Sequence, residues 1–274
     1  MRIRIQHRTR YAYSAPARLV QQVLRLTPRS HEGQHVVSWR IDCNVDCRLH
    51  RGEDAYGNIT HTFTARGPLE SVELVVDGDL ETFDTIGVIR NSVERFPPVF
   101  YLRDTDLTHA GPNLRAFAFE AVGSTVDRLE RMHLLMDAIF ERMTFDKAPT
   151  QAQTKAEEAI TLGRGVCQDF AHIFIACARV LEVPARYASG HFLRNDGVIE
   201  QEAGHAWAEA YVEDLGWIGF DPAHASCSGE SHIRVAVGPD YLAAAPVRGL
   251  VNGGSGEILD VNVHVSQVSG QRQS

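Results

Sequence analysis

No stretch of this sequence approaches the ~18 consecutive apolar residues that a membrane-spanning helix needs, which argues against a helical span. The first ten residues, Met1 to Arg10, alternate apolar and basic side chains. They lack the apolar run of ~7–15 residues that marks a signal peptide, so no export signal is expected. Positive charge is in short supply. The 27 Lys and Arg against 35 Asp and Glu leave a net charge of −8 and a pI near 5.9. A nucleic acid or an anionic membrane surface would want a basic face, so neither is expected as a partner. Cysteine is sparse: Cys43, Cys47, Cys167, Cys177 and Cys227. Without an export signal these are expected to be reduced thiols in the cytoplasm. Cys43 and Cys47 lie close in sequence, but no second Cys/His pair sits near them, so no metal site is expected there. No internal repeat is visible.

What is present is a globular chain of 274 residues, 44% hydrophobic and 23% charged, long enough for one large domain or two ordinary ones. Residues 1 to about 82 read as β. Arg2–Tyr13, Leu19–Thr27, His35–Leu49, Ile59–Ala65 and Leu69–Leu80 are strand candidates. Pro28-Arg29-Ser30, Asp54 to Asn58 and Arg66-Gly67-Pro68 supply turns between them. This spacing predicts a sandwich-like module with no clustered catalytic residues. Residues 83–112, interrupted by Pro97-Pro98 and Gly111-Pro112, read as a connector. Ser124 is the expected cap of a helix whose apolar stripe is Val126, Leu129, Met132, Met136, Ile139, Phe140 and Met143. Thr154 to Glu157 reads as a capping box opening a short helix before Gly163.

The segment Gly163-Arg-Gly-Val-Cys167-Gln-Asp-Phe-Ala-His172 organises the rest. Phe170, Ile173, Phe174, Cys177 and Leu181 have helical spacing, and Pro184 ends the run. Cys167 therefore falls at the first turn of a core-facing helix. Unpaired N–H groups and the helix dipole there favour a thiolate, although a single cysteine is more often an inert core residue. The downstream strands change that balance. His205 opens a strand, Ala203–Val212, with His205, Trp207, Glu209 and Tyr211 on one face. After the turn Glu213–Gly216, Asp221 closes the next strand, Trp217–Asp221. Antiparallel pairing puts the start of one strand near the end of the other, so His205 and Asp221 are expected to meet. A nucleophile, a base and a group that orients the base are what thiol attack on a carbonyl needs. His172 lies too far round the helix to serve, while spacing alone leaves His191 and His224 open as alternative bases. A zinc set is less consistent, because a fourth ligand is missing.

Gly165-Val-Cys-Gln-Asp-Phe-Ala-His172, His205-Ala-Trp-Ala-Glu209 and Gly216-Trp-Ile-Gly-Phe-Asp-Pro222 resemble the core motifs of bacterial transglutaminase-like proteins, members of the papain-like thiol superfamily. Arg25–Arg29 and Asp54–Asn58 are similar to that family's N-terminal β domain, and Val235–Tyr241 and Pro246–Gly249 to its C-terminal segment. The resemblance implies an α+β fold: an N-terminal β-sandwich-like domain, then a core in which a helix-borne Cys packs on an antiparallel sheet carrying His and Asp. The implied organisation is a β domain at 1–82, a connector at 83–112, a catalytic core at 113–265 and a flexible tail at 266–274. It also implies that Cys167 is the nucleophile, His205 the base and Asp221 the orienting acid. The backbone N–H of Cys167 would hold the oxyanion, with Gln168 or Trp207 as second donor. No cofactor is implied, and the partner is a peptide or amide substrate. Hydrolysis as a cysteine peptidase or amidase is the expected activity, ahead of protein-glutamine transglutaminase activity or a silent binding scaffold.

Overall fold

Two very long strands, Arg2–Thr27 and Ile59–Thr82, run antiparallel beside each other in the computed structural model, which describes residues 1–268. Sequence reading divides each of them in two. The chain instead keeps pairing through both expected breaks, with register shifts at Ala12/Ala17 and Ala17/Leu19. Gly67 makes this possible. A Cβ there would lie 1.9 Å from the Ala17 carbonyl oxygen, so a bend forms where a turn was expected. The bends fold the sheet on itself, and Val20, Leu24 and Phe63 share one buried cluster with Val72, Leu74 and Val76. That gives the N-terminal region its sandwich-like character. Gln34–Cys43 pairs with Ile59–Thr82 and ends short of the expected Leu49.

The chain's end returns to this sheet. Val247–Gly253 and Glu257–Gln267 both pair with Arg2–Thr27. The expected last strand, Ile258–Val265, is therefore present but sits outside the catalytic core in which sequence reading placed it. Val263 and Val265 are buried against Ile3 and Ile5, which is the apolar match that draws it there. Ser266 and Gln267, assigned by sequence to the tail 266–274, pair with Arg4 and Ile3. Val268 N–H donates to the Arg2 carbonyl at 2.9 Å, and the rest of that tail, 269–274, lies outside the described residues.

The second half begins with α1, Pro112–Val122, where the sequence suggested a break. Proline at a first helical position initiates a helix as readily as it interrupts one. Glu157 caps α1 from outside, its carboxylate accepting from the Asn113 and Leu114 N–H groups at 2.9 and 3.1 Å. The expected capping box does not form at the start of α3, Ala156–Leu162: the N-cap is Lys155, which has no side-chain acceptor, and only Glu158 reaches back, accepting from Lys155 N–H at 3.4 Å. In α2, Arg128–Arg142, Asp127 rather than Ser124 is the cap, accepting from Glu130 N–H at 2.8 Å. Met132, Met136, Ile139 and Met143 of its expected stripe are buried, while Val126 and Phe140 are exposed.

Helix α4, Cys167–Val180, is the centre of this half, with every residue from Asp169 to Arg179 buried. A helix apolar on nearly all sides belongs inside. It lies on an antiparallel sheet with the strand order Ser226–Cys227, Gly216–Asp221, His205–Val212, Ala185–Phe192, His232–Gly238. Ala206, Ala208 and Ala210 join the core that contains α4, and their small size lets the helix approach closely. The other face carries Trp207 and Glu209. Ile233 of that sheet packs with Ile3, Ile5 and Val263 of the N-terminal sheet, so the two halves share an apolar seam. No helix among the described residues is long and apolar enough to cross a membrane.

Candidate active site

The start of α4 is built around Asp169. Its Oδ2 accepts from Val166 N–H at 2.8 Å and from the Thr150 hydroxyl at 2.7 Å, which fixes the turn that delivers Cys167. A Cβ on Gly165 would lie 2.4 Å from that oxygen, so the glycine is required by the cap. Burial raises the Asp169 carboxyl above its ordinary value, with the Thr150 and Val166 bonds opposing. Cys167 is the first helical residue, partly buried, and near enough to His205 to raise that ring's affinity for a proton.

His205 opens its strand opposite Gly190. The hairpin register pairs Ala208 with Phe220, and continuing it puts Asp221 opposite Trp207. Asp221 is thus a diagonal neighbour of His205 on the same face, within reach of a ring. His205 Nε2 donates to Asp221 Oδ2 at 2.6 Å, which leaves Nδ1 for the thiol. Burial works to lower the His205 pKa, but the Asp221 charge and hydrogen bond, with the Cys167 contact, outweigh it and raise the pKa to about 10. Asp221 is fully buried. Burial pushes its carboxyl up, yet the charge and hydrogen bond of His205 and the bonds from His224 and His232 hold it well below the carboxylate range.

The other histidines fall into place. His172 is buried on α4 and its Nε2 accepts from Tyr241 N–H at 3.0 Å. His191 is buried beside His7 at 5.4 Å between centroids, and desolvation lowers its pKa to about 3. His224, left open by spacing, belongs to the cluster but not as the thiol's partner: its Nδ1 meets Asp221 Oδ2 at 2.8 Å. His232 was not singled out by sequence. Its Nε2 lies 3.1 Å from the same oxygen. Three rings thus converge on Oδ2 while Ala223 N–H bonds Oδ1 at 3.1 Å. Phe192 packs against all three, at 5.2, 4.5 and 4.7 Å between centroids.

The candidates for second oxyanion donor are placed elsewhere. Gln168 Nε2 donates to the Ala152 carbonyl at 3.2 Å, toward the loop before α3. Trp207 lies on the sheet face away from α4, packed with Ala188 and Val237, and its buried Nε1 has no partner. The donor atoms of His205, Asp221 and His232 lie within 4.8 Å of one another, a spacing that a metal ion could use. The hydrogen bonding of His232 does not fit that use. Gly229 N–H donates to its Nδ1 at 3.2 Å, so the ring proton sits on Nε2 and no lone pair faces Asp221. A metal-bound histidine has the opposite arrangement, donating through its second nitrogen.

A thiol at a helix start, with an imidazole hydrogen-bonded to a buried carboxylate beside it, is the arrangement of the papain-like thiol class. Residues 115–222 match the model of the transglutaminase-like superfamily core, and residues 3–81 that of the bacterial transglutaminase-like N-terminal region. The chain belongs to the bacterial transglutaminase-like family. An uncharacterised protein of Mycobacterium leprae is 29% identical over 283 residues, covering 98% of this chain and 99% of that one. One from Mycobacterium tuberculosis is 27% identical over 297 residues, covering 98% and 94%. The crystal structure of a candidate cysteine protease from Cytophaga hutchinsonii superposes with a TM-score of 0.80 at 19% identity, over 99% of this chain and 92% of that one, so the fold is shared.

Proposed function

We propose that this protein is a thiol-dependent acyl-transfer enzyme acting on amide bonds, a cysteine peptidase or amidase. One observation carries the reading: the buried His205 ring bonds the Asp221 carboxylate through Nε2, which leaves Nδ1 for the Cys167 thiol at the start of the neighbouring helix. Cys167 attacks the carbonyl carbon as a thiolate, and its proton passes to His205. His205 then protonates the leaving amine as the C–N bond breaks, leaving a thioester. Asp221 holds the imidazole with Nε2–H toward itself and Nδ1 toward the thiol. The backbone N–H of Cys167, at a helix position where no intrahelical acceptor exists, stabilises the oxyanion. Water, activated by His205, resolves the thioester. The activity needs no cofactor in this scheme, and its partner is a peptide or amide substrate. We place the enzyme in the cytoplasm, where its five free cysteines stay reduced.

The test is incubation with a panel of peptide and amide substrates, with and without a primary amine, followed by mass spectrometry. Hydrolysed product that depends on Cys167 is the expected result. Amine adducts formed in place of hydrolysis would make the protein a transglutaminase. No change with any substrate, while the protein stays folded, would overturn the reading.

A further inference from the structure

We propose that His232 is a positioning residue: a permanently neutral imidazole whose Nε2–H pins the Asp221 oxygen that faces His205. The inference rests on the triad reading above and deepens it. The tautomer is what carries it. His232 Nδ1 accepts from Gly229 N–H at 3.2 Å, and His232 N–H in turn donates to the Gly229 carbonyl at 2.9 Å. An imidazole nitrogen that accepts from a backbone N–H bears no proton, so in the neutral ring the proton is on Nε2. Nε2 is 3.1 Å from Asp221 Oδ2 and can only donate to it. Protonating the ring would place an N–H against the Gly229 N–H, donor against donor, in a buried site. Desolvation lowers its affinity for a second proton, and the pull of Asp221 does not reverse this.

The need for such a group follows from the cycle of His205. While His205 is an imidazolium, it neutralises Asp221. Once it has given its proton to the leaving amine, Asp221 remains a fully buried carboxylate facing a neutral ring. A buried charge is tolerable only where hydrogen-bond donors take its lone pairs. A carboxylate offers about four such positions. Here His205, His224 and His232 fill Oδ2, and Ala223 N–H bonds Oδ1. Of the two rings outside the triad, the His224 side chain is 37% exposed and that of His232 is 5%. His232 is therefore the one that water cannot replace. Its ring is held by the turn Gly229–His232 and stacks edge-on to Trp207 at 5.2 Å. The other titratable groups around the cluster include Cys167 and His191, both of which interact with the His205 charge, and His31, Glu209 and Arg234, which line one cavity with His232.

The experiment follows the rate of Cys167 alkylation by iodoacetamide against pH, a reading that requires no substrate. In His232→Gln the amide nitrogen occupies the place of Nε2 and can still donate to Asp221. In His232→Asn the amide reaches only the place of Nδ1. Thermal melts establish that both variants are folded. We expect His232→Asn to move the acid limb of the profile up by about one to two pH units, the size expected for losing one hydrogen bond to a charged group. His232→Gln should recover to within about half a unit of the parent, or roughly threefold in rate on that limb. His224→Ala should shift the limb less than His232→Asn. Equal shifts in the Gln and Asn variants, no shift in the Asn variant, or a larger shift in His224→Ala would each overturn the proposal. Should the profile behave as expected while no amide substrate is turned over, the positioning role stands and the amidase reading fails.

Discussion

Replacing Asp221 with asparagine separates charge from shape in the buried cluster. In the parent, Oδ1 accepts from Ala223 N–H and Oδ2 from three rings. An amide has one acceptor side and one donor side. With its oxygen toward the rings, its NH2 meets the Ala223 N–H. With its NH2 toward the rings, it meets the Nε2–H of His232. Either way a buried donor faces a donor, which costs about 1–3 kcal/mol. The His205 imidazolium also loses its counter-charge, and breaking a buried pair costs about 3–5 kcal/mol at the upper end. A loss on the order of 3 kcal/mol in unfolding free energy near pH 6 is the expectation. The pH dependence has a definite sign. The folded-state pKa of His205 is raised from 6.5 to about 10, so its contribution is whole below pH 6.5 and fades as pH climbs through 10. Asp221 is depressed below its ordinary 3.8, so its contribution is present above that value and is lost on further acidification. The gap between parent and Asp221→Asn should be widest between about pH 4 and 6.5 and shrink above pH 10 to the donor term of about 1–3 kcal/mol. Urea unfolding followed by far-UV circular dichroism at several pH values measures it. Turnover of an amide substrate should fall ~10²–10⁴-fold, by analogy with serine triads. A gap that is the same at pH 6 and pH 10.5, or turnover within about tenfold of the parent, would refute the charge-pair account.

Limited iodoacetamide near neutral pH should label Cys167 first. Burial pushes the Cys177 and Cys227 thiols up, and Cys47 is pushed up to about 12 by burial and by Cys43. Peptide mapping that finds Cys177 or Cys227 labelled at the same rate would remove the basis for the nucleophile. Cys167→Ala should abolish turnover and His205→Ala should cost nearly as much, with the double variant no worse than the first. Additive losses would mean that the residues do not act together. Glu209→Ala should destabilise the fold by about 3–5 kcal/mol in denaturant titrations, because it strands the Arg234 guanidinium and leaves the buried Arg186 with Glu94 as its only carboxylate partner. Glu209 is fully buried, with its carboxylate oxygens 2.7 Å from Arg186 Nε and 2.6 Å from Arg234 Nε. Burial opposes its ionisation, but the two arginines lower its pKa to about 2, so this support is present above pH 4.5 and lost toward pH 2. A loss under about 1 kcal/mol would contradict the network account.

The parts of the site legible in the sequence were those set by local patterns. The helix after Cys167 follows from apolar spacing, and the meeting of His205 with Asp221 follows from one short hairpin. His232 could not be read that way. It reaches Asp221 because its strand lies beside Ala185–Phe192, an order fixed by packing rather than by chain succession. The long strands Arg2–Thr27 and Ile59–Thr82 were cut in two because Gly67-Pro68 has the composition of a turn, whereas the glycine serves a close backbone approach. Helix α1 was hidden because Pro112 signals both an end and a beginning, and its cap comes from Glu157, a partner distant in sequence. The strand Glu257–Gln267 was recognised, but alternation names a buried face without naming the sheet that buries it.

The N-terminal module has a structural bearing on the site through one sheet edge. His232–Gly238 is the terminal strand of the sheet that carries His205 and Asp221, paired on one side only with Ala185–Phe192. An unpaired edge leaves N–H and C=O groups in need of partners. Two side chains of the N-terminal module supply them. Gln34 donates to the Arg234 carbonyl at 3.0 Å and accepts from the Arg234 N–H at 2.9 Å. Asn58 does the same for Val237, at 2.7 and 2.8 Å. Each amide imitates the paired bonds of a neighbouring strand, at two points along the edge. The bond from Gln34 falls two residues from His232, the ring that holds Asp221. The N-terminal module is thus joined by side-chain amides to the strand that carries His232. These bonds hold in place the strand whose His232 Nε2 lies 3.1 Å from the Asp221 carboxylate.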